Sequence, residues 1–477
     1  MLFNSFIFFI FLLVILPIFY LLPNKKTKNT FLLISSYFFY GYWDWRFCIL
    51  LAISTIVDFT LGLKLKNEDN LKKRKLILLT SVFVNLGILG FFKYFNFFIG
   101  SFESLINITG KPLDYLHLNI ILPVGISFYT FQTMSYTLDI YKKKLEPTSN
   151  FIDFALFVSF FPQLVAGPIE RAKNLLPQLS KKLSPSRDQI TKGIVLIITG
   201  LFRKVMIGDT AGRIVDHIFA EPHLYMSFEL ICGLILFSLQ IYADFSGYSN
   251  IARGTAKLLG VELMKNFEQP YLSRNITEFW RRWHISLSTW LKDYLYISLG
   301  GNRKGKLRTY INLMITMLLG GLWHGASWNF VVWGGLHGFY LVIHKVVSKG
   351  KKIETRFKYS NINNLFKYLY SMLFTNILVL FTWLFFRAKD TATINIFFSK
   401  MINWESSDLA LRFLTITTTF LLMSFLIDWF EYYTRRHTFL LMIPSKAVTA
   451  GILTAMLLVT FTFMFQSEPL PFVYFQF

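Results

Sequence analysis

Two histidines set in apolar, tryptophan-rich sequence are the side chains best placed to do chemistry. His284 lies in WRRWHISLSTW (Trp280 to Trp290) and His324 in LLGGLWHGASWNF (Leu318 to Phe330). An imidazole can take a proton from a hydroxyl and return it to a leaving group. A straight helix entering a bilayer at Tyr310 would carry His324 about 21 Å inward, past the middle of a hydrocarbon core about 30 Å thick. An ionisable side chain at that depth is costly unless compensated, so it marks function by default. Gly320, Gly321, Gly325 and Ala326 flank His324, and such small residues admit another backbone or a bound chain.

If Trp280 to Trp290 forms one helix, Arg281, His284 and Ser288 share a face at spacings of three and four, with Trp280 over it. Trp283 and Leu287 then project to another side. Tryptophan and arginine also anchor interfacial helices, which is an ordinary role for them here. Trp280, Arg281, Ser288, Trp323, Trp328 and Asp244 are the candidates for binding substrate or lining its path. His337 and His344 follow near one face of the next helix. No Cys, Asp or Glu stands at ligand spacing from these histidines, so no metal site is expected. His117, His217, His223 and His437 fall in loops or near helix ends. Asp139, Asp153 and Asp244 lie in or beside apolar segments, where each could orient an imidazole or hold an arginine. A serine elbow, a Walker loop and a dinucleotide fingerprint are all missing, which removes soluble hydrolase, ATPase and nucleotide-cofactor classes.

The elements that must position these groups are membrane helices. Of 477 residues, 54% are hydrophobic and only 16% charged, against about 25% charged in soluble proteins. Mean hydropathy is +0.46. Apolar runs of bilayer length recur throughout, giving an all-α, polytopic, multi-pass membrane protein of about 11 to 13 helices. The excess of 49 Lys and Arg over 27 Asp and Glu sits in short connections. Lys25, Lys26 and Lys28; Lys72, Lys73, Arg74 and Lys75; Lys142 to Lys144; and Lys349, Lys351 and Lys352 read as cytoplasmic loops that also meet anionic membrane lipid. The connection from Gly100 to Asn119, with Lys111 alone, reads as exterior. No basic stripe lies on a folded soluble face, so nucleic acid is not a partner. Cys48 and Cys232 read as small buried hydrophobes.

The run Phe3 to Leu22 reads as a first spanning helix with an exterior N-terminus rather than a removed signal peptide. Further spans are expected at Thr30–Tyr42, Phe47–Leu63, Leu76–Ile99, Ile120–Tyr141, Phe151–Ala166, Ile190–Ile207, Phe228–Ser249, Tyr310–Trp323, Trp328–Val347, Tyr368–Phe386, Leu409–Phe430 and Phe439–Phe465. FPQLVAGPIER (Phe161 to Arg171) and ILPVGISFYTFQ (Ile121 to Gln132) carry Pro and Gly within apolar sequence. Both read as re-entrant or kinked elements or as interhelix turns. Tyr271 to Arg308 is too charged to face lipid. Without repeats or a long linker, residues 1–477 read as a single membrane domain.

Longer motifs carry a family resemblance. They are FFYGYWDWRF, PVGISFYTFQTMSYTLDIY, FFPQLVAGPIER, QIYADFSGYSNIARG, FWRRWHISLSTWLKDYLYISLGGNR, LLGGLWHGASWNFVVWGGLHG, TWLFFRA and the closing FVYFQF. The chain resembles the membrane-bound O-acyltransferase family, in particular its bacterial alginate O-acetylase and peptidoglycan O-acetyltransferase branch. The resemblance implies a ring of helices around a thinned centre, with a tunnel reaching the catalytic histidine. His324 matches the family's essential histidine and His284 its second recurrent polar position. It implies transfer of an acetyl group from a cytoplasmic donor, acetyl-CoA, with no bound cofactor. The acceptor would be an exported or cell-wall polysaccharide, reached through a periplasmic or extracellular acetyl-transfer partner protein. The location would be the bacterial cytoplasmic (inner) membrane. D-alanyl transfer to teichoic acid and a non-catalytic acyl transporter are the alternatives.

Overall fold

The structure is a computed structural model that describes residues 1–108, 118–165, 167–348 and 361–475. These residues form helices and connections without a strand. Seven helices among them are long and apolar enough to cross a bilayer. The expected exterior loop around Lys111 and the cluster Lys349, Lys351 and Lys352 lie outside the described residues.

The chain divides into two compact units. The first comprises residues 1–194 and 252–264. It holds α1 (Phe6–Leu21), α2 (Lys25–Gly41), α3 (Phe47–Lys66), α4 (Leu71–Leu89), α5 (Phe95–Asn107), α6 (Ile126–Tyr141), α7 (Phe151–Ser159), α8 (Phe161–Leu164) and α9 (Ala172–Leu179). Short polar residues set the starts: Ser5, Asn24, Asn70 and Asn150 each accept the backbone N–H three residues on, the ordinary N-cap arrangement. A π turn at Gly90–Tyr94 joins α4 to α5. The expected span Ile120–Tyr141 begins only at Ile126, because Pro123 and Gly125 interrupt it. Phe151–Ala166 is likewise broken, at Phe160, into α7 and the four-residue α8. These short pieces are buried in protein, the setting in which broken helices are tolerated at membrane depth.

A polar seam joins α3, α4 and α6. Asp58 accepts Ser81 Oγ at 2.5 Å and Asn85 Nδ2 at 2.8 Å. Asn85 Oδ1 in turn accepts Ser54 Oγ at 2.9 Å. Such side-chain bonds replace the hydrophobic drive that lipid cannot supply between helices. Asp153 is held by Lys25 at 2.5 Å and Asn29 at 2.9 Å.

The second unit comprises residues 195–251 and 265–477. Two helices are shared with the first, α10 (Arg187–Phe202) and α12 (Ser227–Leu258); α11 (Thr210–Ala220) belongs to the second. It continues with α13 (Ile276–Arg282), α14 (Ile285–Trp290), α15 (Lys306–His324), α16 (Trp328–Val347), α17 (Ile362–Arg387), α18 (Thr391–Ile402), α19 (Ala410–Thr434) and α20 (Lys446–Gln466). The apolar window of α12 is 78% buried, whereas those of α19 and α20 are 11% and 17% buried. Apolar helices so exposed are stable only against lipid. The expected span Phe439–Phe465 is divided: Pro444 separates a short turn, Phe439–Met442, from α20. Arg203, in a π turn at Arg203–Asp209 after α10, meets Asp428 and Glu431 of α19 at 3.0 Å each. Tyr242 and Gln269 add bonds of 2.9 Å to the same two carboxylates. The buried charges are thus paired and hydrogen-bonded, as burial requires.

Candidate active site

Trp280 to Trp290 is not one helix. After α13, Trp283 is extended (φ −99°, ψ 129°), His284 is left-handed (φ 42°, ψ 54°), and α14 starts at Ile285. A left-handed L-residue costs about 1–2 kcal/mol and persists where its surroundings over-determine it, commonly at functional sites. Asn266 supplies that determination. Its carbonyl accepts Ile285 N–H at 2.9 Å, and its Oδ1 accepts Ser286 N–H at 3.2 Å and Ser286 Oγ at 2.9 Å. Ser288 Oγ donates to the Trp283 carbonyl at 3.1 Å and closes the other side of the bend. The shared face expected for Arg281, His284 and Ser288 therefore does not exist. The bend aims His284 inward, where it is fully buried.

His324 is the last residue of α15 and is 2% exposed. The helix begins at Lys306 rather than Tyr310, so its first turns carry Lys306 and Arg308. α15 and α16 pack backbone against backbone at Gly321 and Gly334. A Cβ on Gly321 would strike the Phe330 carbonyl and come within 3.1 Å of Gly334 Cα. Close approach of these helices fixes the height of His324 against Trp333.

The two imidazoles converge, with ring centroids 6.3 Å apart and planes at 63°. A cage of aromatic rings encloses them. Trp323, Trp333, Phe386 and Tyr474 lie 5.1, 5.0, 5.4 and 5.3 Å from His324. Phe245 lies 4.6 Å from His284, and Trp323 is 5.8 Å from it. Tyr474 stacks on His284 with planes at 17° and a separation of 6.3 Å. Hydrogen-bond reach from a ring nitrogen extends about 4 Å from the ring centre. One carbonyl beside the pair can therefore touch both imidazoles.

The remaining expected residues divide. Trp323 belongs to the cage. Trp280 does not face His284: its Nε1–H donates to His337 Nδ1 at 3.3 Å. Arg281 lies on the surface and Trp328 is 62% exposed, so neither joins the pair. Asp244 borders the cage through its neighbour Phe245, but its carboxylate turns to Lys204 and to the C-terminal segment. His337 is the instructive contrast. Thr382 gives its own proton to the Val379 carbonyl at 2.7 Å, so its oxygen accepts His337 Nε2–H at 3.0 Å. With Trp280 donating to Nδ1, His337 is a neutral, fully used imidazole that braces α13, α16 and α17. No group of three or more His, Cys, Asp or Glu suited to a metal ion occurs among the described residues.

Tyr474, Phe245, Trp333, Phe386 and Asn266 were not anticipated as site residues. Only FVYFQF, prominent among the shared motifs, signalled that the C-terminal segment mattered.

Comparison with known proteins gives this geometry a context. The profile of MBOAT, the membrane-bound O-acyltransferase family, matches residues 140–383. A protein named "Probable alginate O-acetylase" from Pseudomonas putida is 40% identical over 430 residues, 87% of this chain and 86% of its own. A peptidoglycan O-acetyltransferase from Helicobacter pylori is 36% identical, covering 77% of this chain and 72% of its own. A teichoic acid D-alanyltransferase from Streptococcus thermophilus is 28% identical over 52% of this chain and 61% of its own.

Proposed function

Since the chain belongs to the membrane-bound O-acyltransferase family, we propose that it moves an acetyl group from acetyl-CoA to hydroxyls of a bacterial envelope polysaccharide. The observation that carries this reading is the convergence of His284 and His324, 6.3 Å apart, inside one aromatic cage. His324 acts as general base: it takes the proton of the attacking hydroxyl while that oxygen bonds to the thioester carbonyl carbon. The tetrahedral intermediate collapses with loss of the CoA thiolate, which recovers the proton from the imidazolium. His284 holds the donor carbonyl, and positioned donors at the developing oxyanion supply much of such catalysis. The surrounding rings exclude water, which would otherwise hydrolyse the thioester.

Acetyl transfer is preferred to D-alanyl transfer because the acetylase relatives match more of the chain and at higher identity. The enzyme resides in the cytoplasmic membrane and hands acetyl groups to an exported partner protein, which completes delivery to the polymer. The test uses purified protein in lipid, radiolabelled acetyl-CoA, and alginate or peptidoglycan fragments with the co-expressed exported partner. Labelled glycan and equimolar CoA release support the proposal. CoA release unaffected by His324→Ala would sink it and favour a conduit role.

A further inference from the structure

We propose that Asp244 and Lys204 form a buried clamp that seats the C-terminal turn and thereby positions Tyr474 against both site histidines. The inference rests on the acyltransferase reading and adds to it a pair of positioning residues far from either histidine in sequence.

Asp244 sits within α12, one residue before the Phe245 that packs on His284. One carboxylate oxygen receives Lys204 Nζ at 2.7 Å. The other accepts the backbone N–H of Val473 at 2.6 Å. Lys204 also pairs with Asp209 at 2.5 Å. The side chains of Lys204, Asp209 and Asp244 are 1%, 6% and 3% exposed. Val473 opens the short turn Val473–Phe475, and the next residue is Tyr474. On one side of the clamp Phe472 packs on Tyr248 at 4.9 Å and on Phe245 at 5.1 Å. On the other, Tyr474 packs on Phe245 at 4.7 Å.

Two features make this a clamp rather than an incidental contact. Lys204 can reach Asp244 because α10 and α12 touch at glycine: a Cβ on Gly200 would lie 2.7 Å from the Gly247 carbonyl, and the reverse holds for Gly247. Lys204 is also shared, since its ammonium meets both Asp209 and Asp244. A buried carboxylate that shares its cation gains from further donors, and for Asp244 the Val473 amide is one. The C-terminal turn is therefore part of what makes the buried charges tolerable, and the charges in return fix where the turn lies. Released from Asp244, the turn loses a directional bond to α12 and leans on the ring contacts of Phe472 and Tyr474, which fix position less sharply.

The test compares full-length wild type with Asp244→Ala, Asp244→Asn, Val473→Pro, Tyr474→Ala and the Asp244→Ala/Tyr474→Ala double variant. Hydrogen exchange reports the amides of Val473 to Phe475, and acetyl-CoA turnover reports kcat and KM. Asp244→Ala should speed exchange of those amides at least tenfold with α12 unchanged, and lower kcat about tenfold with KM steady. Asp244→Asn keeps an acceptor for the amide and should recover most of the loss. Val473→Pro removes the same N–H from the other partner while leaving the ion pair intact, so it reports even if Asp244→Ala does not fold. The double variant should be no slower than Tyr474→Ala alone. Unchanged exchange in Asp244→Ala and unchanged kcat in Val473→Pro would overturn the clamp, as would losses that multiply in the double variant. Wild type without thioester turnover would instead count against the acyltransferase reading, while the exchange data still decide the clamp.

Discussion

Asn266→Ala isolates what the bend at His284 contributes. The left-handed backbone of His284 costs about 1–2 kcal/mol. Against it stand two side-chain hydrogen bonds from Ser286 to Asn266 Oδ1, at 3.2 and 2.9 Å. At about 1 kcal/mol each, net, these bonds are enough to offset that strain. Alanine removes both and leaves one backbone bond, Ile285 N–H to the Asn266 carbonyl at 2.9 Å. A loss of about 2 kcal/mol shifts the balance between bent and relaxed segments roughly thirtyfold. His284 then leaves its place beside His324 for much of the time. Steady-state release of CoA thiol should show kcat lower by about tenfold to thirtyfold, with KM for the donor nearly steady. Asn266→Asp retains the acceptor for both Ser286 donors and should lose far less. Wild-type kcat in an Asn266→Ala protein of unchanged thermal midpoint would refute the claim that Asn266 holds the bend.

Other consequences are open to measurement. His284→Ala should lower kcat about a hundredfold or more, since the proposed reaction uses the imidazole itself, while the melting temperature of the protein in detergent stays close to wild type. His337→Ala removes the acceptor of the half-buried Trp280 indole and the buried donor to Thr382, which costs about 1 kcal/mol or more of stability; thermal unfolding should shift while turnover per folded molecule is retained. Gly321→Val forces α15 away from α16, and overpacking of that kind costs about 1–3 kcal/mol; the signature is a lowered midpoint together with lost turnover, because His324 moves with its helix. Arg203→Met strands Asp428 and Glu431 in the protein interior. Breaking a buried pair in this way costs about 3–5 kcal/mol, so little folded protein should survive detergent extraction.

The two converging histidines were legible because imidazole in an apolar run is rare and expensive, and because the motifs around His284 and His324 are long. The all-helical membrane class followed from the apolar runs for the same reason. The bend between α13 and α14 was not legible. Local spacing favours a continuous helix there, and the force that breaks it comes from Asn266, outside the segment. Helix ends shifted where single residues outweighed hydropathy, as Pro123 did before α6 and Pro444 before α20. Lys306 and Arg308 extended α15 in the opposite sense, since a helix carries cations in its first turns without penalty when these stand at the bilayer edge. Tyr474 was hidden for a different reason. Its position depends on Asp244 and Lys204, two charges whose pairing only the tertiary fold creates. Arg281 and Trp328, attractive by type and proximity, lie on the surface because the bend and the α15–α16 turn direct them outward.

Chemical rescue addresses the role of His324 most directly. Glycine at that position deletes the proposed base and leaves a space shaped for an imidazole inside the ring of Trp323, Trp333, Phe386 and Tyr474. Acetyl-CoA turnover by His324→Gly should fall by about two to four orders of magnitude and then rise saturably with added imidazole, whereas wild type and His337→Ala should not respond. A His324→Gly protein that releases CoA at the wild-type rate without imidazole would contradict the account.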